Sequence, residues 1–177
     1  MILAVDIRPA QAADIPASAQ VHLDSAKIAY QDILDRDLLD SLSLAGRIDL
    51  WESRYASIGP RGRLWVQSVD SAIVGFALCD ESDDRDADPM ACELKSFYLA
   101  PDFWGAGLGA RLIAHAANEF HDRGFGAMIL WTIRRNTRAR GFYERQGFCC
   151  NGVTRRTKRA EAGQILEYEE IRYARSL

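Results

Sequence analysis

A mixed α/β sheet flanked by helices is the fold class this sequence predicts, and three observations carry the prediction. Seven short runs rich in β-branched and aromatic residues are interleaved with helical runs and end in two consecutive strands. One apolar run, Ala127–Ile133, suits a strand buried on both faces. The chain has 177 residues, 48% hydrophobic and 27% charged, which predicts one globular domain over residues 1–177 with a sizeable core.

Each element follows from local pattern. Ala4–Pro9 reads as the first strand. Asp14 is placed to cap a helix that tolerates Pro16 in its first turn and runs to about Tyr30. Two shorter helices follow, Asp37–Leu44 and Arg47–Ser57, before the breaker Gly59-Pro60-Arg61-Gly62. Leu64–Val69 and Ala72–Cys79 are strands joined by an Asp70-Ser71 turn. Asp80–Pro89 is a polar loop, and Cys92–Leu99 is the fourth strand. Leu108, Leu112, Ile113, Ala116 and Phe120 share one helical face, and that helix stops at Arg123-Gly124. After Ala127–Ile133, Thr137–Arg145 is a short helix ending at Gly147, and Val153–Arg159 with Ile165–Ala174 closes the sheet as an antiparallel hairpin.

Several function classes are excluded. No apolar run approaches the ~20 residues a bilayer span needs, so no membrane partner is expected. A net charge of −3 gives no general attraction to nucleic acid. The first residues carry no basic segment ahead of a long apolar stretch, which argues against a signal peptide. Cys79, Cys92, Cys149 and Cys150 form no Cys-x-x-Cys pair, so a cytoplasmic protein with reduced thiols and no metal is expected.

The segment Phe97–Ala110 joins a strand to the best helix through Gly105, Gly107 and Gly109. Such a junction aims free backbone N–H groups and the positive helix end at one point, a ready site for phosphate; the alternative is a tight turn without a ligand. Gly105-Ala106-Gly107-Leu108-Gly109-Ala110 also fits the dinucleotide fingerprint. That reading fails: a proline-containing stretch separates strand from glycines, no acidic residue ends a following strand, and only one more βα unit remains.

At these residues the chain resembles the GNAT family, the GCN5-related N-acetyltransferases. The family's acyl-CoA motif is matched by Tyr98-Leu99-Ala100-Pro101-Asp102-Phe103-Trp104-Gly105-Ala106-Gly107-Leu108-Gly109. A second motif is matched by Asn136-Thr137-Arg138-Ala139-Arg140-Gly141-Phe142-Tyr143-Glu144-Arg145-Gln146-Gly147-Phe148, and Ile73-Val74-Gly75-Phe76 matches too. Two departures stand out: Trp104 replaces the usual Arg or Gln, and Ala106 replaces a frequent Lys. Backbone amides carry most phosphate binding in this motif, and a Trp at this place can cover the pocket.

The resemblance implies a largely antiparallel sheet of about seven strands, splayed between strands four and five to admit the pantetheine arm of acetyl-CoA. It assigns cofactor contacts to Leu99, Trp104, Gly105, Ala106, Gly107, Leu108, Gly109, Ala110 and Asn136, with an oxyanion-binding N–H near Leu99. Asn136 is equally suited to cap the following helix. Tyr143 matches the family's general acid; the alternative is a core aromatic. Glu93 lies where relatives carry a base or water-holding carboxylate. Strict alternation puts Glu93, Lys95, Phe97 and Leu99 on one face, yet Leu94 and Phe97 both look like core. A β-bulge between them would re-aim Glu93; a solvent-facing strand residue is the other reading. Tyr30 and Trp131 are candidates for the acceptor pocket.

Charge is uneven. Residues 80–88 carry net −5, suited to a solvated loop or to attracting an amine. Residues 134–159 carry net +8, suited to drawing in phosphates. The expected function is therefore direct acetyl transfer from acetyl-CoA to a small-molecule amine or protein N-terminus, without metal, by a chain compatible with a homodimer. The alternative is a degenerate domain that binds acyl-CoA as a sensor or scaffold.

Overall fold

Alternation in Val5–Pro9 produces β1, which pairs antiparallel with β2, Arg63–Val69. The computed structural model describes residues 4–161 and 163–177. Asp70 and Ser71 take left-handed φ values of 47° and 72°, the geometry that matches the twist of a two-residue hairpin, and lead into β3, Ala72–Glu81. β4, Ala91–Leu99, lies antiparallel to β3. β5, Ala127–Ile133, is parallel to β4, and β7, Gln164–Ser176, runs antiparallel between β5 and β6, Cys149–Glu161. The seven strands stand in the order β1-β2-β3-β4-β5-β7-β6.

The two sheet faces bury different sets, as a period of two requires. Leu64, Val66, Phe76 and Leu78 pack against α1, Ile15–Ala29, and α3, Leu44–Ala56, through Ile15, Ala19 and Trp51. Trp65, Ala77, Cys79, Cys92 and Leu94 pack on the other face against α4, Leu108–Asp122, whose Leu112, Ile113, Ala116 and Phe120 are all buried. Gly124, at φ 89°, ends that helix as its position after a basic residue predicts. Short helices α2, Arg36–Ser41, and α5, Thr137–Arg145, complete the order.

Three expectations need correction. Asp14 does not cap α1 with its side chain. Its carboxylate instead accepts from Arg8 at 2.7 and 2.8 Å and from the Gln11 N–H at 2.7 Å, because a single 3₁₀ turn at Ala12–Asp14 precedes the helix. The closing hairpin is longer than its apolar residues mark, since exposed β6 is held by ladder pairing and cross-strand charges such as Arg155 with Glu170. The acidic loop is solvated at Asp83, Asp86 and Asp88 but pinned at Asp84.

Two irregularities of β4 shape the site. Leu78 pairs with Ser96 and Cys79 with Leu94, leaving Lys95 as an extra residue. This is the bulge that the broken alternation between Leu94 and Phe97 calls for. β4 and β5 then pair only over Ala91–Glu93 against Ala127–Ile129 and part beyond that point.

Candidate active site

The gap between the parting strands opens into a cavity of about 570 Å³. The second half of β4 and the end of β5 form its walls together with the glycine loop and α5. Ala100 donates to Val74 at 2.7 Å across the β3–β4 ladder. Alternation of the antiparallel pattern then turns the Leu99 N–H away from β3 and into the gap. The Leu99 carbonyl accepts from Ser25 Oγ at 2.8 Å and from Trp104 Nε1 at 2.7 Å.

Gly107 is the N-cap of α4 at φ 81°, with no side-chain cap, which leaves the first-turn N–H groups without a side-chain acceptor, the arrangement that suits an anion. A Cβ on Gly107 would meet nothing within 4 Å, whereas one on Gly109 would meet Phe142 at 3.1 Å. Gly107 thus keeps open space for a ligand, and Gly109 lets α4 and α5 pack closely. Trp104 lines the cavity, and the Arg138 guanidinium lies 4.4 Å from its ring centroid. A cation from α5 therefore stands beside the loop position where Trp104 replaces the motif's usual polar side chain.

Tyr143, on α5, is buried among Phe97, Phe142 and Phe148, with its edge on the cavity. Burial and the neighbouring Tyr98 push its phenol above the usual range. Asn136 caps α5, its side chain accepting from the Ala139 N–H at 3.1 Å, and it also lines the cavity. Tyr30 and Trp131 also line the cavity. Trp131 is held by Asp84, which accepts from its Nε1 at 2.7 Å, and by Arg155 stacked 4.2 Å from its ring.

The cavity thus brings together Leu99, Trp104, Gly105, Gly107, Gly109 and Ala110 with Asn136, Tyr143, Tyr30 and Trp131. Three candidates lie off its wall. Leu108 is buried against Val74 and Leu99, and Ala106 is exposed. Glu93 faces the β3–β4 loop, where it accepts from Ser82 Oγ at 3.4 Å, and burial raises its carboxyl pKa. Sequence reasoning missed Arg47, Arg54, Arg159 and Tyr168 on the cavity wall, because polar residues far apart in the chain carry no local signal.

The model of the acetyltransferase (GNAT) family matches residues 29–148, more than half of the chain. The chain belongs to the GNAT family. A probable N-acetyltransferase of Mycobacterium tuberculosis is 30% identical over 153 residues, 85% of this chain and 83% of the relative. An uncharacterised N-acetyltransferase of Bacillus subtilis is 31% identical over 136 residues, 75% of this chain and 73% of the relative. Among solved structures, a PaiA N-acetyltransferase from Thermoplasma acidophilum in complex with coenzyme A superposes with a TM-score of 0.73 at 17% identity, covering 98% of this chain and 99% of that one. A ribosomal-protein-S18-alanine N-acetyltransferase from Escherichia coli gives 0.68 at 18% identity, covering 98% and 94%. These two distant likenesses speak for the GNAT fold alone.

Proposed function

We propose that this GNAT protein transfers the acetyl group of acetyl-CoA to a primary amine by direct attack within a ternary complex. The observation that carries this reading is the single cavity that joins the uncapped end of α4, the edge of Tyr143 and the acceptor end near Tyr30. The residues present fit an acyl-CoA. The uncapped N–H groups of α4 and Arg138 suit the pyrophosphate, and the β5 side of β4 beyond Glu93, left without a strand partner, suits a pantetheine amide.

The amine must lose a proton before it attacks, because an alkyl ammonium has a pKa of about 10.4. Its nitrogen then bonds to the thioester carbonyl carbon, and the oxygen takes up negative charge that the Leu99 N–H is turned to meet. The C–S bond breaks and the thiolate takes the Tyr143 proton. A phenol whose pKa is raised by burial stays protonated at working pH, so the proton is always in place. Glu93 is assigned the amine's proton by way of water beside Lys95, which lines the cavity next to it.

Tyr143→Phe keeps the ring and removes the proton. Thiol release from acetyl-CoA across an amine panel should fall roughly 10²–10⁴-fold, with acetyl-CoA affinity by calorimetry little changed. Unaltered turnover would make Tyr143 a packing residue. Tight acetyl-CoA binding without turnover on any amine would favour the sensor reading.

A further inference from the structure

The acceptor end of the cavity holds more positive charge than its own carboxylate neutralises. Arg47 and Arg159 both donate to Glu161, one to each oxygen. Each keeps an Nε buried with no hydrogen-bond partner among the described residues. Arg47 is only 3% exposed, so bulk water does not meet that need. Arg54 adds a third guanidinium on the same wall. It donates to Ser96 Oγ at 3.2 Å, stacks 5.0 Å from the Trp51 ring, and has no carboxylate partner among the described residues.

The neighbouring groups do not offset this charge. His22 lines the same wall, and burial together with Arg47, Arg54 and Arg159 pushes its pKa down to about 2. Its Nδ1 accepts from Trp51 Nε1 at 2.9 Å, which leaves the ring proton on Nε2. Tyr168, beside Arg159, has its phenol pushed up by burial and stays neutral. Glu170 is committed to Arg155 at 2.7 Å and Thr157 at 2.6 Å. Asp84, the anchored residue of the acidic loop, is taken by Trp131 and Arg172. Two guanidinium groups thus share one carboxylate and a third, half-buried, has none among the described residues, and planar forks match a further carboxylate.

Position decides which end of the acceptor meets these arginines. Tyr98 lines the cavity together with Arg54, Arg159 and Tyr143, and its ring centroid stands 4.1 Å from that of His22 on the cationic wall. The cationic wall and the acid that serves the reacting sulfur thus face the same cavity. We propose that the acceptor is an amino-carboxylate: its carboxylate binds Arg54 and Arg159, with Arg47 behind them, while its amine reaches past Tyr98 to the acetyl group. This inference rests on the acetyltransferase reading and narrows its substrate class. A polyamine would set a second cation against the same wall.

The test measures thiol release from acetyl-CoA with matched acceptor pairs that differ only in the carboxylate, such as phenylalanine against phenethylamine and glutamate against 4-aminobutyrate with propylamine. O-phosphoethanolamine and spermidine complete the panel. The expected result is a kcat/KM roughly 10–100-fold higher for the amine carrying the carboxylate near it, the size of one or two charged hydrogen bonds. Arg54→Gln should collapse that ratio, mainly through KM, and Arg54→Lys should restore part of it. Arg159→Gln, on the exposed hairpin, gives a second variant if Arg54→Gln unfolds. Turnover without preference for the carboxylate, or preference for spermidine or the phosphate, would overturn the inference and leave acetyl transfer standing. No turnover on any acceptor with acetyl-CoA bound would overturn both.

Discussion

Burial raises the carboxyl pKa of Glu93, with Asp84 and Asp83 adding to the rise and Lys95 and Arg155 opposing it. The folded state therefore binds this proton more readily than the unfolded chain. Its stabilising contribution is complete below the ordinary glutamate range and is lost as pH rises through the folded value. Glu93→Gln keeps the Ser82 contact without the charge. The variant should be more stable than the native chain at neutral pH in denaturant titrations, with a flatter dependence on pH. If the carboxylate takes the amine's proton through water, the acid limb of kcat/KM should also flatten. A gain in stability with an unaltered rate profile would confine Glu93 to the fold. At Trp104 the departure from the motif has a local account: the indole anchors to the Leu99 carbonyl and carries Arg138 on its face.

At the scale of elements, the acidic loop acts as a strap between the β3–β4 connection and the sheet beyond β5. Asp84 accepts from Trp131 and from Arg172, which is 6% exposed and whose other carboxylate, Asp86, is largely in solvent. Asp84→Ala leaves a buried guanidinium short of its partner. A loss of about 1–3 kcal/mol in chemical denaturation is expected, with a change in Trp131 fluorescence. A loss no larger than that of Asp88→Ala would show that the strap is loose. The β4 bulge is the other decisive element. By inserting Lys95 it exchanges the faces of the strand, so that Leu94 and Phe97 both reach the α4 side while Ser96 and Tyr98 turn to the acceptor side.

For the whole molecule, the cavity lies where the sheet has lost its continuity, so a ligand there bridges its two halves. Acetyl-CoA at a hundredfold excess over Kd should stabilise the fold by about 2.7 kcal/mol, raising Tm by roughly 5–11 °C. Gly107→Glu places bulk and negative charge at the uncapped end of α4 and should abolish the shift in differential scanning fluorimetry. Gly107→Ala controls for the strain of a side chain at φ 81°. A full shift in the Gly107→Glu protein would remove the loop from the cofactor site.

The sequence alone determined the elements whose signal is local. The face of α4 shows in Leu108, Leu112, Ile113, Ala116 and Phe120, its stop at Gly124, and the glycine loop in its spacing. The two long motifs carried the family, and the broken alternation at Leu94 and Phe97 foretold the bulge. Only the tertiary structure decided where the side chains of those elements meet. Asp14 turned to Arg8 rather than to its own helix because a neighbouring strand supplied a charged donor. Glu93 settled beside the β3–β4 loop, off the cavity wall, and Ala106 and Leu108 left that wall too, because one bulge and one helix start fix directions that residue identity does not encode. Arg47, Arg54 and Arg159 meet from α3 and the last hairpin, more than a hundred residues apart in the chain. Their shared excess of charge is a property of that meeting, since each arginine alone reads as a solvated surface residue.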